Sequence, residues 1–199
     1  MGITQSAQKP LDMARDKVKA TAGKYLTFHL AAEEYGVEIL KVREIIGLMK
    51  ITRIPQSPHY IRGVINLRGK VIPVLDLRLR FGMETSEDTE QTCIIVVDVT
   101  NENGKLMIGV VVDAVSEVVA ISQDQIEEAP SVGSHADNAR ILGIAKIKNE
   151  VKILLDIDQV LNLADLADNR DLAIVSDDAS YAKESAAPFP SRELETVER

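Results

Sequence analysis

Ile61-Arg62-Gly63-Val64-Ile65-Asn66-Leu67-Arg68-Gly69-Lys70-Val71 runs on to Val74-Leu75-Asp76-Leu77, and Ile141-Leu142-Gly143-Ile144-Ala145-Lys146-Ile147-Lys148-Asn149-Glu150-Val151 runs on to Leu154-Leu155-Asp156-Ile157. Each residue of the second stretch stands eighty positions after its counterpart in the first. Glycine, the apolar set, a basic residue, a Gly/Asn position, valine, leucine and aspartate all coincide. A repeated pattern of this kind marks duplicated structural units. Within each stretch a short polar pair, Arg68-Gly69 or Lys148-Asn149, separates two apolar runs. Gly69 and Asn149 accept the left-handed backbone that a tight two-residue hairpin turn requires. Asp76 and Asp156 then close each hairpin and can cap a following helix.

A second match lies upstream. Gly36-Val37-Glu38-Ile39 with Val42, Glu44 and Ile45 parallels Gly109-Val110-Val111-Val112 with Val115, Glu117 and Val118, seventy-three positions later. The seven-residue difference between the two offsets falls on the polar stretch Ser131–Asn138, read as a loop. The chain therefore holds two similar β-units of about 60–75 residues. Units of that size are marginal alone, so a shared core is expected.

Outward from the repeat, period-two alternation marks strands with one buried face at Leu26-Phe28-Leu30 and Tyr35-Val37-Ile39. Val71–Leu75, Cys93–Val97, Ile108–Val112 and Ile153–Leu155 are apolar throughout, which suits strands covered on both faces or the wall of a small barrel. Short helices are expected from Asp76, Ser122 and Asp156. Ser122 and Asp156 are each followed three residues later by glutamine, a capping-box spacing. Leu40-Lys41-Val42-Arg43-Glu44-Ile45-Ile46 reads as a short helical segment with Ile39, Val42 and Ile46 on one face. The organisation is a lead-in at 1–23 and a β domain at 24–163, its first unit at about 24–90 and its second at about 91–163. An acidic tail follows at 164–199. From Asp165 onward that tail carries nine acidic and four basic residues. It is too polar to offset its ordering entropy.

Composition excludes several classes. The 199 residues carry 23 Lys and Arg against 31 Asp and Glu, a formal net charge of −8. No basic block is present to neutralise phosphates. With no Trp and only three Phe and four Tyr, a base-stacking surface is also unsupported. A single cysteine, Cys93, excludes a disulfide framework. No run reaches the roughly 18–20 apolar residues that span a bilayer, and no apolar leader is visible. A cytoplasmic setting is the expectation.

Catalytic chemistry finds no foothold. His29, His59 and His135 share no metal-ligand spacing. Cys93 has no sequence-near base to generate a thiolate. Asp76, Asp98, Asp113 and Asp156 fall at strand ends, where capping or solvation accounts for them. No phosphate-binding glycine loop or serine elbow occurs. Neither an enzymatic activity nor a cofactor is expected.

On these residues the chain resembles the CheW family of chemotaxis coupling proteins. The resemblance is carried by Glu34-Tyr35-Gly36-Val37-Glu38-Ile39-Leu40-Lys41-Val42-Arg43-Glu44-Ile45, by Thr52-Arg53-Ile54-Pro55, and by Gly109–Val118. Its most specific block is Asn66-Leu67-Arg68-Gly69 with Pro73-Val74-Leu75-Asp76-Leu77-Arg78. It covers about residues 24–163. It implies a mostly β fold of two SH3-like five-stranded barrels sharing a core, with short helices and flexible termini. It further implies a non-catalytic adaptor between chemoreceptor cytoplasmic tips and the regulatory domain of the histidine kinase CheA, in membrane-associated arrays. By the family's motifs, Ile39, Val42 and Val115 line a receptor groove between the barrels. Glu44 and Arg68 fall on the family's acid–base pair. Ile61, Gly63 and Val64 fall on the kinase-facing surface. The alternative is the same fold serving a non-motility chemosensory kinase.

Overall fold

The computed structural model describes residues 20–101, 104–129 and 140–162. The expectations placed on the lead-in, on the Ser131–Asn138 loop and on the tail beyond 162 lie outside the described residues, apart from 20–23. In chain order the elements are β1 (Gly23–Leu30), β2 (Glu33–Glu38), β3 (Val42–Gly47), β4 (Ile61–Leu67), β5 (Lys70–Asp76), α1 (Leu77–Arg80), β6 (Cys93–Asn101), β7 (Gly104–Val112), β8 (Ala114–Ile121), β9 (Ile126–Glu127), β10 (Ile141–Ile147), β11 (Glu150–Leu155) and α2 (Ile157–Val160). Single 3₁₀ turns occupy Ile39–Lys41 and Gln123–Gln125.

The repeated stretches are the hairpins β4–β5 and β10–β11, and they share their irregularities. Arg68 and Gly69 at one tip, Lys148 and Asn149 at the other, all have positive φ. That is the paired left-handed geometry matching the twist of a two-residue hairpin. The pairing slips between Ile61 and Gly63 and again between Ile141 and Gly143. These bulges lie under a crossing backbone. Thr52 bridges Val64, and Glu127 of β9 pairs with Ile144. A Cβ on Gly63 would lie 2.1 Å from the Thr52 carbonyl oxygen, and one on Gly143 2.9 Å from that of Glu127. The repeated glycine is thus a backbone-crossing requirement.

The strands form two sheets, ordered β8-β1-β2-β11-β10-β9 and β3-β6-β7-β5-β4. Here the structure departs from a division at residue 90. Hairpin β1–β2 belongs with β8–β11, and hairpin β6–β7 belongs with β3–β5. The two repeats exchange their first hairpins. The chain crosses between sheets at 39–42 and again at 113–114. The exchanged hairpins join by parallel pairings, Leu154↔Gly36 and Val74↔Gly109. There a Cβ on Gly36 would meet Leu154 at 2.9 Å and one on Gly109 would meet Ile94 at 2.8 Å. One sheet has six strands where five were expected, because the two-residue β9 adds an edge.

The exchange accounts for the continuous apolar runs. Ile94 and Val96 of β6 fill the interior of their own curled sheet with Ile65, Ile72, Val74 and Val111. Their neighbours Ile95, Val97 and Val99 face the other sheet. That larger central core includes Leu26, Phe28, Val37, Ile61, Leu75 and Leu155. Tyr25, Ile121, Ala145 and Leu154 fill the second sheet. The fold is therefore mostly β, with one core inside each sheet and a third shared between them.

Two further expectations are settled locally. Leu40–Ile46 is not a helix. After the 3₁₀ turn, Val42–Gly47 is a strand whose burial alternates residue by residue. Its β-branched Val-x-x-Ile-Ile sequence suits an extended chain. The pairing with β6 slips between Val42 and Glu44, and Ile46 packs in the first sheet's interior while Ile39 and Val42 pack on the central core. The caps do form. The Asp76 side chain accepts from the Leu79 N–H, and that of Asp156 from the N–H groups of Asp158 and Gln159. Asp156→Ala is expected to lower stability by about 1 kcal/mol, measured by urea unfolding; no change would contradict the capping role.

Candidate partner-binding site

β3 carries the charged half of the site. Its alternation sends Arg43 outward, where the guanidinium donates to both Asp98 carboxylate oxygens at 3.0 and 2.9 Å. Glu44 is turned inward and is only 20% exposed. Arg68 sits at the β4–β5 tip, a turn fixed by the Gly69 N–H donating to Asn66 Oδ1 at 2.8 Å. The sheet curls until this tip, at one end, reaches β3 at the other. The Arg68 guanidinium then donates to Glu44 Oε2 at 2.8 Å. Arg68 remains 79% exposed, so most of its planar donor fork is presented to solvent. A pair this exposed adds roughly 0–1 kcal/mol to stability. What it provides is a fixed charged surface.

The apolar half lies on the two crossovers. Ile39 and Val42 flank the first, and Val115 follows the second. All three are partly buried against the central core, leaving part of each accessible at its margin. The structure therefore places the five residues on two features: a salt-bridged pair on the first sheet, and an apolar set where the chain passes between sheets. Sequence reasoning missed Leu40, which is 91% exposed between Ile39 and Lys41. Its out-of-phase position after Tyr35-Val37-Ile39 was the available signal.

The three residues assigned to a kinase surface divide differently. Ile61 is 6% exposed and belongs to the central core, and Gly63 is buried under Thr52. Neither offers side-chain surface. Val64 is partly exposed. On the same hairpin Val71 is half-exposed.

The titratable groups support structure more than chemistry. Burial pushes the Cys93 thiol up, opposed only in part by a backbone contact at Val115. Among the described residues, no three His, Cys, Asp or Glu side chains are placed to hold a metal ion. Burial would raise Glu34 and Asp113, but their partners reverse it. The Lys152 ammonium and the Thr27 and Ser116 hydroxyls hold Glu34 low, and Arg78 with the Ala31 N–H holds Asp113 low. Arg62 holds Asp88 low against a smaller effect of burial.

A depressed carboxylate contributes stability that is present above its unfolded value, about 4, and lost as pH falls through its folded value. Stability is therefore expected to fall on acidification below about pH 4. Asp113→Asn is expected to show a shallower acid slope in urea melts between pH 3 and 7. An unchanged slope would contradict this assignment.

The comparisons with known proteins agree with this architecture. Residues 24–165 match the family model of the CheW-like domain. The chain is 37% identical to the chemotaxis protein CheW of Klebsiella aerogenes over 143 residues, covering 72% of this chain and 84% of that one. It is 33% identical to the chemotaxis protein CheW of Bacillus subtilis over 142 residues, 71% of this chain and 88% of that one. The crystal structure of the scaffolding protein TtCheW from Thermoanaerobacter tengcongensis matches with a TM-score of 0.63 and 37% identity, over 71% of this chain and 94% of that one. With the duplicated hairpins, the exchanged sheets and the Glu44–Arg68 pair in place, these matches establish that the chain belongs to the CheW-like family.

Proposed function

We propose that this protein is a non-catalytic chemotaxis adaptor that couples the cytoplasmic tip of a chemoreceptor to the regulatory domain of a CheA-type histidine kinase. The carrying observation is the pairing of a fixed, solvent-facing Arg68–Glu44 bridge with an accessible apolar margin at Ile39, Val42 and Val115. A helical receptor tip offers apolar side chains to the margin and carboxylates to the Arg68 fork. The kinase meets the β4–β5 face through Val64, with buried Ile61 and Gly63 holding that strand's shape. No helix among the described residues is long and apolar enough to cross a membrane. The receptor supplies the attachment to the membrane-bound array, from the cytoplasmic side.

Arg68→Glu places two carboxylates together on the surface and tests the reading. Affinity for a purified receptor cytoplasmic fragment is expected to fall at least tenfold, since charge complementarity governs partner choice. Stability is expected to change by less than about 0.5–1 kcal/mol. Calorimetry and urea melts measure the two. Unchanged receptor affinity would overturn the reading.

A further inference from the structure

We propose that two ion-pair clamps, Arg78–Asp113 and Lys41–Asp158, are positioning devices that hold the two crossovers at the spacing the receptor groove needs. The inference rests on the adaptor reading, because it concerns the same groove. Arg78 lies in α1, at the end of the first repeat, and Asp158 lies in α2, at the end of the second. They are eighty positions apart and so occupy the same place in their units. Each reaches the crossover between the sheets.

The Arg78 guanidinium donates to Asp113 Oδ1 at 2.6 Å and also to Oδ2. Asp113 is the single residue between β7 and β8, and it also accepts from the Ala31 N–H at 2.7 Å. Its own N–H donates to the His29 carbonyl at 3.2 Å. The second crossover is thereby tied to α1 and to the β1–β2 turn, two residues before Val115.

At the other crossover the Lys41 ammonium donates to Asp158 Oδ2. Asp158 Oδ1 accepts from the Thr100 N–H of β6 at 2.9 Å. The first crossover is thereby tied to α2 and to the hairpin of the opposite repeat, between Ile39 and Val42. The charges are reversed between the clamps: the helix at the end of the repeat supplies the cation in one and the carboxylate in the other. Their members are 18–30% exposed, against 79% for Arg68, so they are better shielded from solvent. None of the four lies among the groove's apolar residues. They set where those residues stand.

The test is a charge exchange in the full-length protein. Lys41→Asp and Asp158→Lys are made singly and together. Val42→Glu serves as a direct groove variant. Binding is read against a receptor cytoplasmic fragment and, separately, the kinase regulatory domain. Each single clamp variant is expected to weaken receptor binding by about 5- to 30-fold, with kinase-domain affinity unchanged. The double variant is expected to recover the part of the loss that the ion pair carries, and not the part carried by the Thr100 N–H, which a lysine at 158 cannot accept. Amide hydrogen exchange should rise at 39–42 in the single variants and return in the double.

Full receptor affinity in the single variants, with Val42→Glu impaired, would overturn the clamp proposal while sparing the groove. Unimpaired Val42→Glu would overturn the groove reading itself. Equal loss toward both partners without recovery in the double would show a merely structural role and also overturn the proposal.

Discussion

Gly63→Ala is expected to lower stability by about 2–5 kcal/mol, one of the two largest effects of any single substitution here. Two costs combine. Gly63 has a φ of +139°, a conformation costing an L-residue of order 1–3 kcal/mol. The new Cβ would also lie 2.1 Å from the Thr52 carbonyl oxygen and 2.7 Å from its carbon. That carbonyl is held by the Val64 N–H at 2.9 Å, and the Thr52 N–H donates to the Val64 carbonyl at 2.9 Å. The crossing strand must be displaced, an overpacking cost of about 1–3 kcal/mol. At roughly 2–4 °C per kcal/mol for a chain of this size, the midpoint should drop by about 5–15 °C. Gly143→Ala is the internal comparison. Its nearest obstruction, the Glu127 carbonyl, is at 2.9 Å, and it lacks the positive φ. A smaller loss, about 1–3 kcal/mol, is expected there. Thermal denaturation of both variants decides the matter; equal and small losses would contradict the crossing-strand account.

Lys152→Met is expected to cost about 3–5 kcal/mol, because it strands a shielded carboxylate. Lys152 is 3% exposed and pairs with Glu34, which is 12% exposed, across the parallel β2–β11 junction. Thr27 lies fully buried on neighbouring β1. The equivalent positions of the other sheet, read through the two repeat offsets, are Ile72 and Met107, which pack in an apolar interior. One sheet thus uses an ion pair where its twin uses hydrocarbon.

Lys152→Ile with Glu34→Met, which copies the twin, is expected to stay within about 1 kcal/mol of the parent or exceed it. The loss in Lys152→Met should also depend on pH. Without its cation, Glu34 has a raised folded value, so the variant keeps more stability below the unfolded value near 4 and loses it as pH rises. Urea melts at pH 4 and 8 measure this. A double variant as unstable as the single one would contradict the account.

These effects show which parts of the fold were legible in sequence. The hairpins were, because turn and cap each demand particular residues, Gly69 and Asn149 at the tips and Asp76 and Asp156 at the ends; the bulges at Gly63 and Gly143 emerge only with the strands that cross them. The two-sided burial of Cys93–Val97 was also legible, because β-branched residues without alternation leave no face for solvent. The hairpin exchange was not. Parallel pairing of β2 with β11 and of β5 with β7 depends on contacts far apart in sequence, and local patterns carry no record of partner choice.

Val42–Gly47 reads as helical in sequence because Ile39, Val42 and Ile46 stand three and four residues apart, a helical spacing, although Ile39 belongs to the preceding turn and only Val42 and Ile46 lie in the strand. At the site, the Glu44–Arg68 pair came from the resemblance. No spacing rule links a strand to a hairpin tip twenty-four residues away.

The central claim is that one small β protein bridges two partners through separate surfaces. It is tested most directly by immobilising a receptor cytoplasmic fragment and measuring retention of the kinase regulatory domain as full-length protein is added. The account predicts saturable retention that requires this protein and is lost with Arg68→Glu, while that variant still binds the regulatory domain in solution. Retention that does not depend on the added protein, or that survives Arg68→Glu undiminished, would contradict it.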